Sequence, residues 1–165
     1  MRKLLCSMAL VGMLSAPVAL QAQATMEAGP FLAYTDDAEA FGIGGFISIP
    51  LPSLNPNIAL VPDFTWFFPD AGSLFEINGD LMYAFPVSAD SPVLPFAFGG
   101  LNIARVSIDT PFGDFSDTQV GINLGGGVNF PAGSINPFAG AKIELEGGES
   151  FVIFGGIGFP IGGGA

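Results

Sequence analysis

Histidine is absent from this 165-residue chain, and cysteine occurs once, at Cys6. Without histidine there is no Ser-His-Asp or Cys-His nucleophile and no usual zinc set. Basic residues are scarce: four Lys and Arg stand against fifteen Asp and Glu, giving a net charge of −11. A surface of that sign does not grip nucleic acid, whose phosphates are held by Lys and Arg. A long apolar run is also missing. A membrane-crossing helix needs about 20 consecutive apolar residues, and the run from Leu4 to Leu14 is ended early by Ser15 and Pro17. Yet half of the residues are hydrophobic and seventeen are Phe. Disordered acidic chains are poor in such residues, so this chain is expected to fold with something apolar covering its surface.

The chain opens Met1-Arg2-Lys3, continues with the short apolar run and reaches Ala22-Gln23-Ala24. A basic start, a short apolar stretch and a small-residue A-x-A site predict a secretory signal peptide over 1–24, cleaved after Ala24. The alternative, a retained anchor helix, would need a longer run. Cys6 leaves with the signal, and it lies too close to Arg2 and Lys3 to look like a lipoprotein cysteine. The expected mature domain, 25–165, has no thiol and keeps only Arg105 and Lys142 against fifteen acids, a net charge of −13.

Beyond the leader, apolar residues alternate with polar or small ones. In 75–85, Phe75, Ile77, Leu81, Tyr83 and Phe85 alternate with Glu76, Asn78 and Asp80; in 119–130, Val120, Ile122, Leu124 and Val128 alternate with Gln119, Asn123 and Asn129. Period two means strands with two chemically different faces. Proline cannot donate to a sheet ladder and belongs at strand ends. Segments ending in Pro50, Pro86, Pro131 and Pro160, with others beginning at Pro30, Pro56, Pro95 and Pro137, therefore place all of these prolines on one rim. That gives eight strands, at about 28–35, 40–50, 57–68, 74–86, 95–108, 118–130, 137–146 and 150–160. A chain released from a secretion signal starts on the periplasmic side, so the proline rim is expected to face the periplasm. The opposite connections, 35–39, 69–72, 109–117 and 146–149, are expected outside. Gly99-Gly100 blurs the phase of the fifth strand as a β-bulge would, leaving the facing of Arg105 open.

Aromatic residues gather toward segment ends. Tyr34, Phe41, Trp66, Phe68 and Phe75 lie toward one rim; Phe85, Phe96, Phe130, Phe138 and Phe159 lie toward the other. Two aromatic girdles around an aliphatic band suit a bilayer. A soluble β-sandwich, the alternative, needs a polar outer face, whereas the second face here is largely Gly, Asn and Ala. The expected fold is all-β: an eight-stranded antiparallel up-and-down transmembrane barrel, with outer-membrane lipid around it.

The segments Pro-Phe-Ala-Gly-Ala-Lys at 137–142, Pro-Phe-Ala-Phe-Gly-Gly at 95–100 and Phe-Val-Ile-Phe-Gly-Gly-Ile-Gly-Phe at 151–159 resemble small bacterial outer-membrane proteins with eight-stranded OmpA/OmpX-like barrel domains. The resemblance spans the whole mature chain, is one of pattern, and fixes no activity. It implies insertion by the barrel-assembly machinery, which in that family reads a terminal aromatic residue. Here Phe159 is followed by six further residues, Pro160 to Ala165.

Within such a barrel Asp63, Glu76, Asp80 and Glu144 would point inward with Lys142 as the hub of their charge balance, joined by Arg105 if the fifth strand turns it inward. Catalysis by carboxylates alone is conceivable, but acids in a narrow lumen more often pair and fill it; no enzyme activity, cofactor or metal is expected. Gly125-Gly126-Gly127 and Gly155-Gly156 have no following helix or P-loop lysine, so they are not phosphate cradles. The three carboxylates of 109–117 match no EF-hand spacing; Phe112 and Phe115 of that loop are the candidate external contacts. Eight strands enclose little more than side chains or one small ligand. The leading expectation is a structural or surface-interaction barrel without a wide pore. The alternative is binding or passage of a small apolar molecule, suggested by the inward set Gly42, Gly44, Phe46, Gly121, Gly125, Phe154, Gly156 and Gly158.

Overall fold

The structure, a computed structural model, describes residues 25–88, 90–110, 113–145 and 148–162. Its strands are β1 Met26–Thr35, β2 Ala40–Pro50, β3 Ile58–Phe67, β4 Ser73–Ala84, β5 Leu94–Thr110, β6 Gly113–Asn129, β7 Asn136–Leu145 and β8 Glu149–Ile161. Each pairs antiparallel with its neighbour in sequence, and β8 returns to β1 to close the barrel. Closure leaves no sheet edge, the one strand arrangement that hydrocarbon tolerates. The expected signal peptide, 1–24, lies outside the described residues.

Within the barrel wall, inward and outward positions alternate along the strands. Thr65, Glu76, Asn78, Asp80, Asn102, Asn123, Lys142 and Glu144 are buried inside, while Leu32, Ile43, Trp66, Ile77, Leu101, Val120, Leu124 and Ile153 are exposed outside. An exterior of that composition is a surface for lipid, not for water. The outer aromatic cluster is tight: Trp66 stacks on Phe75 at 5.1 Å and Tyr34 meets Phe41 at 5.0 Å. On the proline rim, Phe85, Phe130 and Phe159 face out. Phe96 and Phe138 correct the expected girdle, since their even positions turn them into the lumen, where both line a cavity.

Gly99-Gly100 is not a bulge. One register runs unbroken from Ser73–Ser107 to Ala84–Phe96, and another from Leu94–Asn129 to Thr110–Gly113. The even positions Phe96, Asn102 and Ala104 are therefore buried, and odd-numbered Arg105 stands exposed outside the wall. The segment 109–117, expected as a loop, is mostly strand: Ile108 pairs with Phe115 and Asp109 with Asp114. The pairing of β4 with β5 ends at Ser107, and that of β6 with β7 at Ile122. Past these pairs, the β5–β6 hairpin is paired among the described residues through its own two strands, and its tip extends beyond the barrel wall.

Two prolines sit inside strands rather than at their ends. The β2–β3 ladder omits Ile47–Pro62 and Ser48–Val61, and the β1–β8 ladder omits Gly29–Gly158 and Pro30–Ile157. In each case the proline nitrogen has no proton for the carbonyl opposite, Ile47 or Ile157.

Candidate functional site in the barrel lumen

The inward glycines are floors for aromatic rings. A methyl group at Gly42 would meet the Phe67 ring at 2.7 Å, one at Gly127 the Phe96 ring at 2.7 Å, and one at Gly140 the Phe154 ring at 2.6 Å. The ring of Phe31 covers Gly44 in the same way. The small inward residues of the sequence are thus largely spaces already taken by phenylalanine.

At the outer end, Phe67, Leu74, Ala33, Ala40, Ala104 and Val152 form an apolar cluster, with Phe67 wholly buried. A polar network crosses the lumen beneath it. Asn78 Nδ2 donates to Asp63 Oδ1 at 2.9 Å, and Asn78 Oδ1 accepts from both Asn102 and Asn123 at 2.9 Å. Asn102 also donates to Glu144 Oε1 at 3.1 Å. Lys142 Nζ lies 2.5 Å from Glu144 Oε1 and 3.7 Å from Glu76 Oε2. Side chains from β3 to β7 are thereby tied together across the lumen.

The network contains five of the six charged residues expected there, and Arg105 is corrected out of it: its guanidinium donates to Ser116 Oγ on the exposed hairpin at 3.2 Å. Lys142 pairs with Glu144 and Glu76, the acids nearer the outer end. Asp63 and Asp80 form no ion pair with any described residue, and Asp80 Oδ1 is buried without a hydrogen-bond partner among them. The connecting role of Asn78, Asn102 and Asn123 was not foreseen; the signal was there, because all three share the inward phase of the acids. Phe115 is 64 % exposed on the hairpin, whereas Phe112 lies outside the described residues.

Within the lumen lies a cavity of about 110 Å³ that runs from the proline rim up to Ala33, Thr65 and Val152 near the outer cluster. Phe31, Phe46, Phe96, Phe98, Phe138 and Phe154 line it, with Asp63, Asp80 and Lys142 partway along it and Glu27, Ser48 and Asn129 near the proline rim. The rings touch in sequence: Phe96–Phe98 at 6.1 Å, Phe98–Phe154 at 5.9 Å, Phe154–Phe138 at 6.2 Å and Phe138–Phe46 at 5.1 Å. At the mouth, Asn136 Nδ2 donates to Glu27 Oε1. Among the described residues no group of His, Cys, Asp and Glu is arranged to hold a metal ion.

No protein-family model and no curated sequence matches the chain. Solved structures do resemble it. The N-terminal β-barrel domain of Pseudomonas aeruginosa OprF superposes with a TM-score of 0.68 at 15% identity, covering 83% of this chain and 97% of that one. Neisserial surface protein A gives 0.65 at 18% identity, covering 82% and 96%. Ail, the attachment invasion locus protein of Yersinia pestis, gives 0.59 at 12% identity, covering 82% and 95%. All three are small eight-stranded outer-membrane barrels, and this chain has their fold.

Proposed function

We propose that this protein is an integral barrel of a bacterial outer membrane, reached by cleavage after Ala24, with a structural or surface-interaction role and no wide pore. The observation that carries the reading is the pairing of a lipid-compatible exterior with a closed lumen. Leu32, Leu101, Val120 and Leu124 face outward, while Phe67 and the Asn78–Asn102–Asn123 network fill the interior. The β5–β6 hairpin supports the interaction role, because it projects exposed Ile108 and Phe115 past the wall. Exposed apolar groups in such a position suit contact with a partner or with lipid headgroups.

Envelope fractionation, with gel mobility compared before and after heating, tests this reading. A compact unheated form in the outer-membrane fraction supports it, and a chain soluble without detergent overturns it. Planar-bilayer recordings of the folded protein should show no large steady conductance.

A second reading, binding of a small molecule, is favoured by the phenylalanine-lined cavity. Largely apolar walls with a few convergent polar groups are the common form of a small-molecule site.

A further inference from the structure

We propose that the luminal cavity binds a small primary ammonium compound with a short apolar tail, the nitrogen seated at Asp63 and Asp80 and the tail against the phenylalanines. The proposal deepens the small-molecule reading and rests on the barrel being folded as described.

Three observations converge on that chemistry. The first is charge. Asp63, Glu76, Asp80 and Glu144 face a single luminal cation, Lys142, so these five groups, fully ionised, carry a formal charge of −3 before Glu27 is counted. Arg105, the only other base beyond the leader, is outside the wall. Lys142 is committed at 2.5 Å to Glu144, with Glu76 at 3.7 Å. The acids bordering the cavity, Asp63, Asp80 and Glu27, have no ion pair with any described residue.

The second is an acceptor waiting for a donor. Asp80 is 4 % exposed, and its Oδ1 is buried without a hydrogen-bond partner among the described residues. A buried oxygen in that position costs stability until it is satisfied. Asp63 has one donor, Asn78 Nδ2, and a carboxylate oxygen has room for more. An ammonium group supplies three donors and the missing positive charge together. A neutral alkane supplies neither, and a carboxylate would be repelled.

The third is shape. The volume of about 110 Å³ is somewhat smaller than the roughly 150 Å³ of an engineered cavity that admits benzene. It suits a chain of about four carbons. Six aromatic rings around the path offer apolar contact to the tail, and their faces attract a cation as it passes. Glu27 near the mouth adds an acidic group along the way.

The test uses detergent-folded, heat-modifiable protein and calorimetric titration with n-butylammonium, n-butanol and butyrate. Saturable binding of n-butylammonium alone is expected, with at least tenfold loss of affinity in Asp80→Asn or Asp63→Asn. The second variant keeps the test open if the first fails to fold. Equal binding of n-butanol would show a merely apolar pocket and overturn the ammonium assignment, as would binding that neither variant weakens or competition by sodium at equal concentration. No binding by a heat-modifiable barrel refutes the site and leaves the membrane reading standing. A chain that never becomes heat-modifiable refutes the membrane reading itself.

Discussion

Lys142 Nζ lies 2.5 Å from Glu144 Oε1, two residues along the same strand on the same inward face, and both side chains are almost fully buried. Asp80, which the sequence places at a similar depth, makes no such pair. Lys142→Met therefore removes the cation beside Glu144 and Glu76 in a low-dielectric lumen. Removing one partner of a buried pair costs about 3–5 kcal/mol, and hydration through the cavity should reduce that. Denaturant unfolding of the detergent-folded barrel should show the loss. Adding Glu144→Gln should recover more of it than adding Asp80→Asn; the reverse order would contradict the pairing.

Leu124 tests the outer face. It is 60 % exposed, points outward between Gly99 and Ile143, and lies near mid-strand in β6. Leu124→Arg should cost about 2–4 kcal/mol if it lies near the bilayer midplane. Ala71→Arg, in an exposed connection, should cost little. Folding into lipid vesicles checks both, and equal small effects would remove the lipid from this face.

Phe67 closes the outer end of the lumen, fully buried over Gly42. Phe67→Ala removes a large apolar side chain and leaves a hole in a wall that cannot collapse freely, which costs about 3–5 kcal/mol. The variant should lower the unfolding midpoint yet still conduct no steady current, because the asparagine network beneath remains. A porin-like current would mean that Phe67 alone is the plug.

Facing was legible wherever a strand separates two different solvents. On β4 and β6, lipid on one side and lumen on the other force apolar and polar residues into strict alternation, and the sequence shows it. The β5–β6 hairpin beyond the wall has no such contrast. Ser116, Asp117, Thr118 and Gln119 are all exposed, so their pattern reads as loop although they are paired. Gly99-Gly100 misled for a related reason: Leu124 packs over Gly99, so a position without a side chain there signals a neighbour's bulk rather than a bulge. The luminal acids and Lys142 could be placed by counting from the proline rim. Their partners could not, because pairing depends on which side chains reach across the barrel. The cavity was equally hidden, since it is the space left after each phenylalanine ring has settled on its glycine.

Pro62 offers the last test, at the height of the cavity, where Phe46 and Asp63 border both the luminal space and the shallow outer cleft beside the broken ladder. The carbonyl of Ile47 lacks the donor that any other residue at this position would supply. Pro62→Val restores an N–H and places a β-branched side chain on the lipid face, which a strand favours. The hydrogen bond contributes about 0.5–1.5 kcal/mol, at the upper end here because water does not reach a lipid-facing carbonyl to compensate. Against it stands the greater freedom of the unfolded chain once proline is gone, about 0.4–1 kcal/mol. The bond should prevail, giving net stabilisation of up to about 1 kcal/mol. The clearer readout is amide exchange: the amide introduced by Pro62→Val should be protected like that of Phe64, and the β2–β3 seam should lose its local opening. If the introduced amide exchanges as fast as those in the 51–57 connection, the gap is set by strand geometry rather than by the missing proton.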